Sequence, residues 1–592
     1  MTPPLLITST NSTPLSLSTT SKKTTTNEII TNSIITSSSS YLNNANKIAP
    51  FTILPPSSSP SSDTTFKKQI IQLLNEIQPY PFFTHNINHY NNNIEIQSLN
   101  GGLSNHLYTI TNHENHEILL LRIHPTTTTT HKNNTKNHKN NKTFTLINQN
   151  HENKISCYLS KYNICPIYYG RFYNGRIEEY YHNYKCLTYN DMKISFYVKS
   201  IAKELCLLHS LSIKEIKNLL LENDNDDDNN NIGVVGDRVG EVEEKENGCN
   251  SMDNGDIWDR IDSWLNQCKE LLQRQQHQQH QQEQLSSSTS KELQSMIDTI
   301  EMEWNWYKEE MSNDKNDDNE KIMSYKNNLV EQRVIHFCRE IVFTHMDCQS
   351  LNILTPVSST TTSSAPPSTT TTSTTSTKCH NGEHEFDNDH PDIEELSDNT
   401  SNVSSSSSSN NHQNDQYHHN DESFAPIKII DYEYSSFNRR VVDIANTFLE
   451  YCDMNNLKPN YEKEYPTKEE QNLFLSTYLH QCYLKYCEKE KEDVNEGKMR
   501  MCTPSALLLR QLFESSDEDG GNYNDDTIVD LDTVLDIMRE EITKHTLFSH
   551  LEWTCWSIIQ SMICDIEFDY IKYAKLRMEG YFYFKKLCWN KE

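Results

Sequence analysis

Apolar residues are scarce for so long a chain. Only 35% of the 592 residues are hydrophobic. No stretch reaches the roughly 18 apolar residues that a membrane-spanning helix needs. Basic charge is scarce too: 53 Lys and Arg stand against 83 Asp and Glu, a formal net charge of -30. That excludes the basic stripe of a nucleic-acid-binding surface and the polybasic segment of a membrane-surface protein. Much of the acid lies in tracts such as 223–231 and 515–526, which read as solvated segments. The 16 cysteines show no paired Cys-x-x-Cys, so neither zinc nor a disulfide framework is indicated. The first residues lack a basic region followed by an apolar run, and they also lack arginine. A secretory signal is therefore not expected, a transit peptide is a weak alternative, and reduced thiols in the cytoplasm are the expectation. No G-x-x-x-x-G-K-[ST] occurs, which rules out a P-loop.

Low-complexity Ser, Thr, Asn, Asp and Gln tracts account for much of the length. They cannot bury enough apolar surface to offset their ordering entropy. Residues 1–65 read as a disordered arm, and inserts are expected near 126–142, 222–256, 273–290, 356–425 and 515–526. Between them the patterning is regular. Residues 66–77 carry helical spacing. Strands are expected at 94–99, 107–110 and 118–123, then a helix at 152–162. Asn174-Gly175 between 168–172 and 176–181 signals a hairpin turn. Hairpin, strand, helix, hairpin is the plan of a kinase N-lobe, here 66–181. Residues 182–592 read as a helical C-lobe. Helices are expected at 196–211, 257–272, 291–307, about 467–485, 529–560 and 570–587. The fold class expected is α+β, two-lobed and protein-kinase-like.

Phosphoryl transfer requires a phosphate cradle, divalent-metal ligands and a proton acceptor. Residues 343–354, FTHMDCQSLNIL, have the form His-x-Asp-x4-Asn. That spacing suits a catalytic loop with Asp347 as base and Asn352 as metal ligand; read alone, it also suits a loop Asp and Asn ending a helix. Residues 427–454, IKIIDYEYSSFNRRVVDIANTFLEYCDM, deliver Asp431 to a turn after a short strand. Asn352 and Asp431 together supply the hard oxygen ligands that Mg²⁺ takes. Asp443, Asn446 and Glu450 recur on one helical face, which could equally be solvated. Trp553 and Trp556, and Tyr570 and Tyr573, are paired three residues apart; spacing alone reads them as core.

Asn100-Gly-Gly-Leu-Ser-Asn-His106, HMDCQSLNIL, IIDYEYSSFNRRVVDIANTFLE and WTCWSIIQSMICDIEFDYIKYAKLR resemble successive segments of the choline/ethanolamine kinases. The resemblance spans most of residues 95–585 outside the inserts. It implies use of ATP and Mg²⁺ and a small cationic amino-alcohol as substrate. Asn100, Gly101, Gly102, Leu103, Ser104 and Asn105 would form the phosphate-covering loop, although a Gly-Gly step is also a plain hairpin turn. Arg122 would contact the nucleotide, with Glu152 steadying it. Asn174, Glu178 and Tyr180 belong to the segment that would link the lobes beside the adenine, and Gln349 would touch the nucleotide. Tyr434, Glu450, Trp553, Trp556, Tyr570 and Tyr573 would hold the acceptor cation, each aromatic face contributing about 0.5–2 kcal/mol.

Five positions depart from the family pattern: Met346 stands for the usual Asn, Ser350 and Leu351 for an acid and Gly, Thr554 for Gly, and Asn455 for an aromatic residue. None removes a residue with an assigned role, so activity is expected, with Met346 as the position that would lower it. Residues 174–180, Ser435-Ser436 and Tyr570 look more like the choline branch. The expected function is therefore choline kinase, making phosphocholine for phosphatidylcholine. Ethanolamine kinase is the alternative, an inactive kinase-like scaffold a lesser one, and an antibiotic-type phosphotransferase is disfavoured by the paired aromatics. Neither a nucleic-acid partner nor membrane insertion is expected; a homodimer is what the family suggests.

Overall fold

A computed structural model describes residues 48–56, 63–79, 93–99, 105–124, 146, 148–221, 255–281, 288–312, 325–357, 424–454, 457–497, 503–514, 529–564 and 568–589. The segment 1–47, the tip at 100–104, Asn455 and the centres of the expected inserts lie outside the described residues.

The first part of the chain builds a six-stranded sheet. Its strands are β1 (Ile48–Ala49), β2 (Ile94–Leu99), β3 (His106–Asn112), β4 (Ile118–Ile123), β5 (Tyr168–Phe172) and β6 (Gly175–Glu179), in the order β1-β5-β6-β4-β3-β2. All neighbours are antiparallel except β1, which joins β5 in parallel. Helix α1 (Thr64–Ile77) starts at Asp63, whose side chain accepts from the Thr65 and Phe66 amides. It buries Phe66, Ile70, Leu73, Leu74 and Ile77 against the apolar face of the sheet. Helix α2 (Gln149–Lys161) is capped by Asn148 and carries Glu152 in its first turn.

The remainder is mostly helical. A short strand β7 (Tyr184–Cys186) precedes α3 (Ser195–His209), α4 (Ile213–Leu221), α5 (Gly255–Gln281), α6 (Ser288–Ser312) and α7 (Tyr325–Arg339). Four strands then carry the loops that matter: β8 (Ile341–Thr344), β9 (Ile353–Pro356), β10 (Lys428–Ile429) and β11 (Ser436–Arg439). Strand β8 pairs with β11, and β9 pairs with β10 and β7. The 345–352 loop and the 430–435 turn both cross from one small ladder to the other. They are therefore neighbours, and the Ile430 amide donates to the Asn352 carbonyl at 2.9 Å. Helices α8 (Arg440–Leu449), α9 (Tyr461–Glu464), α10 (Lys468–Asn495), α11 (Pro504–Phe513), α12 (Leu531–Ile563) and α13 (Tyr570–Trp589) complete the chain. All ten residues of α8 are buried, so Asp443 and Asn446 do not line a solvated face. No helix among the described residues is long and apolar enough to cross a membrane, and the described cysteines are free thiols.

Three expectations need correcting. Residues 48–56 of the arm belong to the fold: β1 adds to the sheet edge and Ile53 is fully buried, a contact too short to leave a periodic signal. The Gln/His tract does not end a helix, because α5 runs on to Gln281 and α6 begins at Ser288; glutamine is a good helix former. Asn174 sits at the far turn of the β5–β6 hairpin. Its amide bonds both the N–H and the carbonyl of Ile53, so it braces the sheet and does not link lobes.

Candidate active site

Strand register sets the first half of the site. Arg122 on β4 lies directly opposite Arg176 on β6, and two like charges side by side in a sheet need carboxylates. Glu178 accepts from both guanidiniums, from Arg122 Nε at 3.3 Å and from Arg176 Nε at 2.7 Å. Arg176 Nη1 reaches Glu152 on α2 at 2.5 Å, and Arg122 Nη1 reaches Asp431 Oδ1 at 3.2 Å. The result is a relay, Glu152–Arg176–Glu178–Arg122–Asp431, buried except at Asp431. Glu152 was expected to steady Arg122. Its direct partner is Arg176, which pattern reading did not single out because only the β4–β6 register reveals the pair.

Asp431 leads into a second cluster. Ligand oxygens of Glu152, Asp431 and Glu433 lie within 4.8 Å of one another. Glu433 also receives Asn105 Nδ2 at 3.4 Å, and Asn105 Oδ1 faces His124 Nδ1 at 2.7 Å. With Glu178, this region holds four carboxylates against two guanidiniums. Burial, followed by the nearby Asp431 and Glu152 charges, pushes the Glu433 carboxyl well up. A hard divalent cation fits that excess of clustered oxygen. Asp431, Glu433 and Glu152 would hold it, with Asn352 one backbone hydrogen bond away. Glu433 was missed at the sequence level: it sits two residues past Asp431, in a turn where period says nothing about direction.

Asp347 lies between this cluster and the acceptor side. Its carboxylate accepts from Asn352 Nδ2 at 2.8 Å and from Gln349 Nε2 at 3.3 Å. Burial, then the Glu450 and Asp431 charges, raise its pKa well above the usual carboxylate range. The loop that carries it is clamped from below. Asp443 on α8 accepts the His345 amide at 2.7 Å and the Met346 amide at 2.8 Å, and faces His209 Nε2 at 3.0 Å. Burial works against ionising Asp443, but His209 and His345 outweigh it and its pKa is lowered. Met346 and Asp431 both take left-handed backbone, φ 66° and 68°, which non-glycine residues hold only where surroundings impose it.

The paired aromatics converge. Tyr434 packs 5.1 Å from Trp553, Trp553 5.4 Å from Trp556, and Trp556 5.6 Å from Tyr570 and 6.3 Å from Tyr573, measured between ring centroids. Both indole N–H groups are already used: Trp556 donates to the Tyr434 hydroxyl at 2.8 Å and Trp553 to Asn446 Oδ1 at 3.0 Å. Glu450 stands at the edge of this box, and its Oε1 accepts Arg577 Nη2 at 3.1 Å. Arg577 also donates to the Tyr573 hydroxyl and lies 5.1 Å from that ring. This resident cation was not foreseen, although an i, i+4 step from Tyr573 could have drawn attention to it. Of the remaining predicted residues, Tyr180 is half-buried just past β6, while Asn100, Gly101, Gly102, Leu103 and Ser104 lie outside the described residues.

The choline/ethanolamine kinase family model matches residues 96–582, a span that includes both clusters and the aromatic box. The chain belongs to the choline/ethanolamine kinase family. It is 32% identical over 165 residues to "Probable choline kinase 2" of Arabidopsis thaliana, covering 27% of this chain and 34% of that protein. It is 29% identical over 161 residues to "Choline/ethanolamine kinase" of Rattus norvegicus, covering 26% and 31%. It is also 32% identical over 162 residues to "Probable ethanolamine kinase B" of Dictyostelium discoideum, covering 26% and 32%. The chain thus spans about a third of the length of the curated relatives it matches. Among solved structures, a choline kinase from Cryptosporidium parvum aligns with a TM-score of 0.46 at 19% identity, over 88% of this chain and 96% of that one.

Proposed function

We propose that this family member is an ATP-dependent choline kinase. It transfers the γ-phosphoryl of ATP to the hydroxyl of choline and yields phosphocholine and ADP in the cytoplasm. The observation that carries the reading is the place of Asp347: a buried carboxylate that accepts from Asn352 Nδ2, on a loop hydrogen-bonded to the turn that carries Asp431. In this reading residues 66–181 form a nucleotide lobe and 182–592 an acceptor lobe. Asp431, Asn352 and their acidic neighbours would hold Mg²⁺, whose charge would offset that developing on the ATP phosphates. Asp347 orients the choline hydroxyl and accepts its proton as the oxygen bonds to the γ-phosphorus. The bond between that phosphorus and the β,γ-bridging oxygen breaks, and the electron pair leaves with ADP.

Choline is preferred over ethanolamine because of what the box offers. Ethanolamine brings ammonium N–H donors that require acceptors, while choline brings only a diffuse charge and methyl groups. Here the Tyr434 hydroxyl already accepts Trp556 and Glu450 Oε1 already holds Arg577. The clustered ring faces of Tyr434, Trp553, Trp556, Tyr570 and Tyr573 suit a quaternary ammonium, and Glu450 adds negative charge beside them. A coupled ADP-release assay across choline, ethanolamine and the N-methylated intermediates tests this. Choline is expected to show the highest kcat/KM, and Asp347→Ala to lower kcat by about a thousandfold. Full turnover by Asp347→Ala, or no turnover of any amino-alcohol by the wild type, sinks the proposal. A higher kcat/KM for ethanolamine moves it to the ethanolamine branch. Calorimetry with Mg·ATP addresses the scaffold alternative, which requires that no nucleotide binds.

A further inference from the structure

Arg260 on α5 lies outside every segment given a role above, yet its guanidinium reaches the acceptor wall from behind. Nη1 donates to the Tyr434 carbonyl at 2.7 Å and to Glu552 Oε1 at 3.0 Å, and Nη2 donates to the Ser435 carbonyl at 3.4 Å. The guanidinium carbon is 5.7 Å from the Trp264 ring centroid, and Trp264 meets the Tyr434 ring edge-on at 6.4 Å. Arg260 therefore fastens the backbone at the residue whose ring and hydroxyl contact Trp553 and Trp556.

Glu552 is what makes the arrangement informative. Its side chain is only 3% exposed, and Arg260 is its sole ion-pair partner among the described residues. Its second oxygen has no hydrogen-bond partner there. Taking a carboxylate out of water so incompletely satisfied is costly, and an apolar side chain at 552 would pack the α12 interior more cheaply. What the pair supplies is direction. Carboxylate and indole together hold a planar fork so that two N–H groups meet two successive carbonyls. The other reacting groups are fastened independently, Asp347 by Asp443 beneath its loop and Asp431 by Arg122 from the sheet.

We infer that Arg260, held by Glu552, is a positioning residue that sets the Tyr434 wall of the acceptor pocket and so the KM for the acceptor. The inference rests on the acceptor reading proposed above. Steady-state kinetics on wild type, Arg260→Ala, Arg260→Lys and Glu552→Gln test it, with choline and Mg·ATP varied separately. Arg260→Ala is expected to raise the choline KM about tenfold, because small misplacements of a binding wall are magnified in this way. The KM for Mg·ATP should stay within about twofold and kcat within about threefold, since neither Asp347 nor Asp431 loses its own clamp. Arg260→Lys, a point charge in place of a fork, should fall between wild type and Arg260→Ala. Glu552→Gln keeps an acceptor for Nη1 and should have the mildest effect.

A purely structural role would lower the melting temperature and the active fraction without moving the choline KM. An active wild type whose choline KM is unmoved in both Arg260 variants overturns the inference. So does a rise of both substrate KM values together. If Arg260→Ala does not fold, Arg260→Lys and Glu552→Gln decide by the same criterion. A wild type inert towards every amino-alcohol overturns the acceptor reading and this inference with it.

Discussion

Met346 illustrates how a residue can look wrong in a sequence and be right in its setting. The family's usual Asn at this position suggested a side-chain brace that Met346 would lack. The brace runs through the backbone instead: the Met346 amide donates to Asp443 Oδ1. Its side chain is fully buried in the cluster that also contains the acceptor aromatics. Met346→Asn would relieve left-handed strain by about 1 kcal/mol but forfeit about 1.5–3 kcal/mol of side-chain burial. Burial wins, so the variant should be less stable by about 0.5–2 kcal/mol in urea titration. Its kcat should stay within about threefold, because the clamp on the loop is untouched. A tenfold gain in kcat would show that the side chain limits the loop after all. Asp347, Asn352 and Asp431, proposed above for the chemistry, were legible because each flanks a short apolar strand at a fixed offset. The pairings made by Arg176, Glu433, Asp443 and Arg577 were not, because partner choice is decided by strand register and helix packing between segments far apart in the chain.

At the scale of elements, helices with a strong apolar period and strands bounded by turn residues were read to within a few residues, as at 66–77 and 118–123. Elements buried on all sides or seated at an edge were harder. Strand β1 is two residues long, and α7 offers little contrast between its faces. Helix α7 is tied to α12 by an ion pair with a testable pH signature. Arg339 Nε meets Glu541 Oε2 at 2.9 Å, and Lys544 Nζ meets Oε1 at 3.0 Å. Burial pushes the Glu541 carboxyl up, but His545, Arg339 and Lys544 outweigh it and hold it at about 2. A carboxylate depressed in the folded state stabilises above its unfolded value near 4.5, and that contribution is lost as pH falls toward 2. Glu541→Gln should therefore cost about 2–3 kcal/mol at neutral pH. The difference between the two proteins should narrow as urea titrations are taken from about pH 6 to about pH 3. A difference that stays constant over that range would place the cost in packing.

For the whole molecule, the net charge of -30 and the low apolar content misdescribe the part proposed to carry the chemistry. Most of the candidate site comes from two short ladders and three helices whose apolar residues join two buried hydrophobic clusters. The β9–β10 ladder puts this to the test. Ile353 pairs with Ile429 and Leu354 with Lys428, while the chain between the two strands includes residues 358–423. None of the hydrogen bonds that fix Asp347, Asn352 or Asp431 comes from Val357 or from 424–427. Replacing 358–423 by a four-residue turn should therefore preserve register and turnover. Each halving of a closed loop returns about 0.6 kcal/mol, so some three halvings should raise stability by about 2 kcal/mol. Thermal unfolding and the choline assay on the shortened chain read both effects. A shortened protein that melts as high as the parent but has lost turnover would mean that 358–423 contributes directly to the site, and the assignment of catalysis to these ladders and helices alone would fail.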